Sequence, residues 1–65
     1  MTEKFRNICL SQDKKYIRKY AKNHPNIYKG YNKQFFIEII KELMLDNQYD
    51  KVVYLDKKCN NYGIN

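Results

Sequence analysis

The most regular hydrophobic pattern runs from Asn32 to about Leu45, where Phe35, Phe36, Ile39, Ile40, Leu43 and Met44 recur at helical spacing and Ile37 widens the stripe. Asn32 is a favourable N-cap with Gly30 just before it, and Asp46, Asn47 and Gln48 carry stop chemistry. The pattern predicts a helix over 32–45. Its apolar stripe exceeds what one short partner helix would cover, which predicts a dimer or a protein target on Phe35, Phe36, Ile39, Ile40 and Leu43.

A second helix is predicted over 11–22. Tyr16, Ile17, Tyr20 and Ala21 form one apolar stripe, and Lys14, Lys15, Arg18, Lys19 and Lys22 cover the remainder. Ser11 is its expected N-cap, with Gln12 and Asp13 in the first turn. Asn23, His24, Pro25 and Asn26 supply turn chemistry, since proline disfavours helical geometry at the residue before it. A further short turn through Ile27, Tyr28 and Lys29 leads to Gly30.

The ends of the chain read differently. Residues 5–10 fit a short strand, in which alternation places Ile8 and Leu10 on one face with Arg6, and Phe5, Asn7 and Cys9 on the other. Residues 52–55 are β-branched and aromatic, consistent with a short strand or an apolar tail packed on the helices, and 57–65 form a polar tail. The expected fold class is therefore mainly α with a short N-terminal strand, in one small domain over residues 1–65.

Charge adds an asymmetry to this pattern. Residues 1–33 carry a balance of +7 and residues 34–65 a balance of −1. A basic half beside a near-neutral half points to a face that meets a polyanion or an acidic partner. Eleven lysines against two arginines, with many Asn, Ile and Tyr, also match what an AT-rich genome encodes. With 43% hydrophobic residues, including seven Tyr and three Phe, the chain has the means to fold. At 65 residues its core is small enough that self-association is expected.

Candidate chemistry is sparse. No apolar run approaches the roughly 18–20 residues of a membrane span, and the first ten residues lack a signal-peptide core, so a cytoplasmic location is expected. Cys9 and Cys59 are expected to be free thiols, and with the lone His24 they do not reach a zinc spacing, so no metal is expected. His24, beside Pro25, is expected to be a solvated loop residue. There is no glycine-rich phosphate loop, and nothing places Cys9 and His24 together as nucleophile and base. Glu38 and Glu42 lie one turn apart on a solvated face. These features predict a binding protein, neither an enzyme nor a cofactor carrier, with no small-molecule substrate. Lysines interleaved with Tyr16, Tyr20, Tyr28 and Tyr31 can also serve single-stranded nucleic acid by stacking, although helical spacing accounts for Tyr16 and Tyr20 as core residues.

Laid end to end, the segments Arg6-Asn7-Ile8-Cys9-Leu10-Ser11, Lys15-Tyr16-Ile17-Arg18-Lys19-Tyr20-Ala21-Lys22 and Gly30-Tyr31-Asn32-Lys33-Gln34-Phe35-Phe36-Ile37 resemble the ribbon-helix-helix family of small dimeric DNA-binding repressors and antitoxins. The resemblance covers roughly residues 4–45. It implies an intertwined homodimer whose paired strands enter the major groove of double-stranded DNA. Phe5, Asn7 and Cys9, with Lys4 and Arg6, would then face the bases. Ile8 and Leu10 would enter the dimer core with the 35–43 stripe. Asn32 and Lys33 at the start of the second helix, with Lys14 and Lys15, would hold phosphates.

The stretch Tyr31-Asn32-Lys33-Gln34-Phe35-Phe36-Ile37-Glu38 also resembles the small sporulation-checkpoint inhibitors of histidine kinases. That likeness implies an alternative, a helical hairpin that inhibits a host enzyme or kinase without binding DNA. Phe35, Phe36, Tyr20 or Tyr28 would form its hot spot, and the basic helix would meet an acidic target.

Overall fold

The computed structural model describes residues 2–63. Four α-helices follow one another: α1 (Thr2–Ser11), α2 (Lys14–Asn23), α3 (Lys33–Leu45) and α4 (Tyr49–Asn61). A single 3-10 turn, Tyr28–Gly30, lies in the α2–α3 connection. The α3–α4 hairpin forms the centre of the bundle, with α1 packed on α3 and α2 packed on α4.

The expected fold class is overturned at its N-terminus. Residues 5–10 are helical, and among the described residues there is no strand and so no ribbon to offer a DNA groove. The physical reason lies in the spacing of Phe5, Ile8 and Cys9. These three sit at i, i+3 and i+4, which a helix gathers on one face and a strand divides between two. All three are buried, with Phe5 and Cys9 wholly inaccessible. Phe5 is the hub of the aromatic core, its ring centre 5.5 to 6.3 Å from those of Tyr20, Tyr28, Tyr31, Phe35 and Phe36.

The helix over 32–45 forms as its pattern predicts. Asn32 caps it, its side-chain oxygen accepting the backbone N–H of Phe35 at 3.0 Å. It ends in a Schellman motif: Asn47 takes a left-handed φ of 60°, its N–H donates to the Met44 carbonyl, and the Gln48 N–H donates to Leu43. That turn reverses the chain and sets α4 antiparallel on α3. Most of the wide stripe of α3 finds cover within the chain, because α1 and α4 both pack on it, while Met44 stays half exposed. Phe36, Ile39 and Leu43 are buried, and Phe35 and Ile40 are half-buried against the same core.

The second helix begins later than expected. Ser11 belongs to the last turn of α1, where its hydroxyl donates to the Asn7 carbonyl. The true cap of α2 is Asp13, whose carboxylate accepts the Tyr16 N–H at 2.8 Å. Ile17 of the predicted stripe is buried, Tyr20 and Ala21 are half-buried, and Tyr16 stays outside the core.

The expected strand over 52–55 is the middle of α4, and the expected polar tail continues that helix to Asn61. The buried line of α4 is Lys51, Leu55 and Cys59, at i, i+4 and i+8. Lys51 is the one buried charge among the described residues, at 3% exposure. Its Nζ donates to the carbonyls of Cys9, Leu10 and Gln12 at 2.8 to 3.1 Å. The last carbonyls of a helix have no partner in their own ladder, and here an ammonium from the far end of the chain satisfies them while meeting the negative end of the α1 dipole.

Candidate functional site

The side chains expected to face DNA bases do not share a surface. Phe5 and Cys9 are core residues, Asn7 is exposed, and exposed Lys4 sets its ammonium 6.0 Å from the Tyr20 ring centre on α2. Arg6 reaches across to α3, where its guanidinium donates to the Glu42 carboxylate at 3.2 Å. This partly exposed pair contributes at most about 1 kcal/mol. Ile8 is buried and Leu10 half-buried inside the bundle, so both pack within one chain. At the start of α3, Asn32 spends its oxygen on the Phe35 N–H, and exposed Lys33 lies apart from the clefts that the α2 cations line.

What the fold does gather is the basic side of α2. Lys14, Arg18 and Lys22 are spaced at i, i+4 and i+8, with Lys15 beside them, and all four are exposed. Like charges at i, i+4 destabilise an isolated helix by about 0.2–0.5 kcal/mol per pair. No residue of α2 is acidic, and its capping Asp13 holds the N-terminal end. Among the described residues, none of these cations is in a salt bridge.

Packing of α4 against α2 places tyrosines between the cations. Lys14, Lys15 and Arg18 line one shallow depression with Tyr54. Arg18 and Lys22 continue into a neighbouring cleft of about 200 Å3, where they meet Lys58, Tyr28, Tyr54 and Tyr62. The Lys58 ammonium lies 5.5 Å from the Tyr54 ring centre, a cation–π distance, and Tyr62 stacks on Tyr28 at 5.2 Å. No acid lines either concavity. From Lys14 to Lys22 the helix rises about 12 Å, comparable to the width of the B-DNA major groove.

The sequence flags the cations of this face and Tyr28, but not Tyr54, Lys58 or Tyr62. Tyr28, in the short turn the sequence predicts, is buried at 3% exposure, and Tyr54 lies in the segment that reads as a short strand or a packed apolar tail. The signal for Tyr54 and Lys58 is their i, i+4 spacing, visible once residues 49–61 are taken as a helix. The burial of Tyr28 has no local signal, since it comes from α1 and α3 closing over a loop.

Cys9, Cys59 and His24 do not assemble into a reactive site. Both thiols are free and buried, and His24 stacks on the Tyr20 ring at 4.2 Å with its Nδ1 2.9 Å from the Tyr20 carbonyl oxygen. His24 is therefore exposed as expected, but packed on the end of α2. No cluster of three or more metal-ligating side chains exists among the described residues, and no helix there is long and apolar enough to cross a membrane.

Burial pushes the Cys9 thiol up to about 12, with the nearby Lys51 charge acting weakly the other way. The unfolded chain gives up this proton near pH 9 and the folded chain does not. The thiol's contribution is thus fully present below pH 9 and is lost as pH rises through about 12, a change of at most about 4 kcal/mol. Tyr28, raised mainly by burial and then by Tyr54, acts in the same direction above pH 10. Lys51, lowered by burial, opposes them. Urea midpoints measured from pH 8 to 11 should fall with pH, and Cys9→Ala should flatten the decline. An equal decline in the variant would remove the thiol from this account.

No protein-family model, no curated protein and no solved structure matches this chain.

Proposed function

We propose that the protein is a non-catalytic module that binds double-stranded DNA through its phosphate backbone, using the side of the bundle formed by α2 and α4. The observation that carries this reading is the row Lys14, Lys15, Arg18 and Lys22, joined by Lys58 of α4 and free of any acid along the two concavities it lines. Such a row is held at a cost in mutual repulsion that a polyanion relieves, and phosphates supply the larger part of non-specific DNA affinity. No strand takes part, so contact is helical and electrostatic. The setting is a reducing compartment such as the cytoplasm, where Cys9 and Cys59 stay thiols.

The test is binding to a labelled duplex between about 50 and 200 mM salt. Wild type should lose affinity steeply as salt rises. The double variant Lys14→Ala/Lys15→Ala should bind more weakly at every salt, with its log–log slope shallower by about 2. A wild type that ignores the duplex, or a double variant with an unchanged slope, would remove DNA from this face.

One observation favours a second reading, the helical module that binds a protein. Met44, Leu45 and Tyr49 at the α3–α4 turn are exposed, Leu45 at 86%, and with Lys41 they line an apolar hollow. Apolar side chains grouped this way suit a partner protein. A Leu45→Lys variant that binds DNA normally would keep the two surfaces separate.

A further inference from the structure

Four of the six large apolar side chains exposed among the described residues belong to the outer side of the α3–α4 hairpin. Leu45 ends α3 at 86% exposure, and Met44 beside it and Tyr49 at the start of α4 are about half exposed. These three line one hollow with Lys41. Val53, also exposed, follows Tyr49 at i, i+4 and so extends the patch along α4. Single exposed apolar residues need no explanation, but a contiguous group does. The core does not use them, because the buried line of α3 is Phe36, Ile39 and Leu43 and that of α4 is Lys51, Leu55 and Cys59.

Charge decides what covers this patch. Of the net +6, residues 1–33 carry +7 and residues 34–65 carry −1. Two copies meeting through α1 or α2 would set like charges together, whereas the α3–α4 side lets them meet without that repulsion. The patch itself holds both signs. Lys41 stands at the hollow and Asp56 one turn beyond Val53, both exposed, and neither is in a salt bridge among the described residues. A two-fold pair sets one surface against itself, so that residue i of one copy meets residue j of the other and j meets i. An apolar centre with an unpaired cation and an unpaired acid is complementary to itself under that operation. A strongly acidic or strongly basic partner would leave one of the two facing its own sign.

The patch also turns away from the basic side of the bundle. Tyr54, which lines both concavities of that side, is the neighbour of Val53, and successive helical residues point about 100° apart. Pairing through Val53 therefore leaves Lys14, Arg18 and Lys22 of each copy open.

We propose that this patch is a two-fold interface with a second copy of the chain, in which Leu45, Tyr49 and Val53 form the apolar centre and Lys41 of each copy meets Asp56 of the other. The inference rests on the second reading above for its surface, names the partner that reading leaves open, and is independent of DNA.

The experiment is sedimentation velocity on the full chain without nucleic acid. An interface this small belongs with the weak ones, at a Kd of about 10–100 µM. Wild type should thus pass from mostly monomer at about 5 µM to mostly dimer at about 500 µM. Leu45→Lys and Val53→Lys, on different helices, should each raise the Kd about tenfold or more. Both positions are exposed, so both variants should keep the fold and melt within about 3 °C of wild type. Should one fail to fold, the other carries the comparison. Lys41→Glu and Asp56→Lys should each pair more weakly than wild type, and an equimolar mixture of the two should recover the pairing, because every cross-copy contact then joins opposite charges.

A wild type that stays monomeric at every concentration overturns the interface. In that event the uncharged dye Nile red separates the two readings. Dye binding by wild type that Leu45→Lys loses leaves the hollow to a different protein, and equal binding removes the second reading as well. Dimers that form equally in both lysine variants place the contact elsewhere and overturn the proposal. A mixture that pairs no better than its components overturns the two-fold contact.

Discussion

Phe5→Ala should lower the stability of the folded protein by about 3–5 kcal/mol. A 65-residue domain has only about 3–10 kcal/mol in total, so most of the variant should be unfolded or close to it at room temperature. The size of the effect follows from where the ring lies. Phe5 is inaccessible to solvent and touches the aromatic cluster on several sides, offset-stacked on Tyr31 and edge-on to Tyr28 and Phe36. Removing it takes away its transfer free energy, its aromatic pairings and the seal between α1 and α3. The resulting void is larger than neighbouring rings can fill without leaving their rotamers. The same substitution separates the helical fold from a ribbon, in which Phe5 would face outward and its loss would spare the fold. Asn7→Ala, on the exposed side of α1, is the internal control and should change stability by less than about 0.5 kcal/mol. Urea denaturation followed by circular dichroism measures both. A Phe5→Ala protein as stable as wild type would contradict the position of α1.

Lys51→Met should cost about 2–4 kcal/mol, although it replaces a charge by an apolar chain of similar length. A buried cation is expensive to desolvate, and replacing a whole buried ion pair by apolar residues is often harmless. Lys51 differs because its partners are backbone carbonyls that cannot be substituted away. Once the ammonium is gone, the carbonyls of Cys9, Leu10 and Gln12 lose a shared, charge-assisted donor at the end of a helix. Water can reach the partly buried pair at Leu10 and Gln12 more readily than it can reach Cys9, which is why the cost stays below that of three separate lost bonds. Lys51→Arg is the informative companion, since it keeps the charge but replaces a compact ammonium with a planar fork. It should recover only part of the loss. If Lys51→Met melts within 2 °C of wild type, the three carbonyls are satisfied by other means and the cap is not a stabilising element.

How much of this was legible beforehand depended on window length and on caps. The helix over 32–45 was visible because its repeat ran for three turns and a good N-cap stood at Asn32. The helix carrying the cations was visible too, but Ser11 and Asp13 are both capable caps two residues apart. Only the fold decides between them, by continuing α1 through Ser11. Residues 5–10 are a short window rich in Phe, Ile and Cys, which suggests a strand by composition although the i, i+3, i+4 spacing of Phe5, Ile8 and Cys9 is helical. In α4 the disguise was chemical. A lysine at the first buried position interrupts the apolar series, and the adjacent Val52 and Val53 suggest a strand that tertiary packing overrides. Of the candidate site, the basic side of α2 could be foreseen because charges announce themselves. The part that Tyr54 and Lys58 take beside it could not, because residues 52–55 do not announce a helix.

The lysine that closes α1 carries a consequence for the order in which the chain can fold. Its acceptors lie 39 to 42 residues upstream, and the apolar partners on its own helix, Leu55 and Cys59, are made later still. During synthesis the first helix therefore has its aromatic neighbours before it has its clamp. Nascent α1 can collapse onto Phe36 while its last carbonyls still face water, and it becomes fixed only when α4 arrives to complete the bundle. A single side chain of α4 thus ties the last turn of α1 to a helix some forty residues further along the chain.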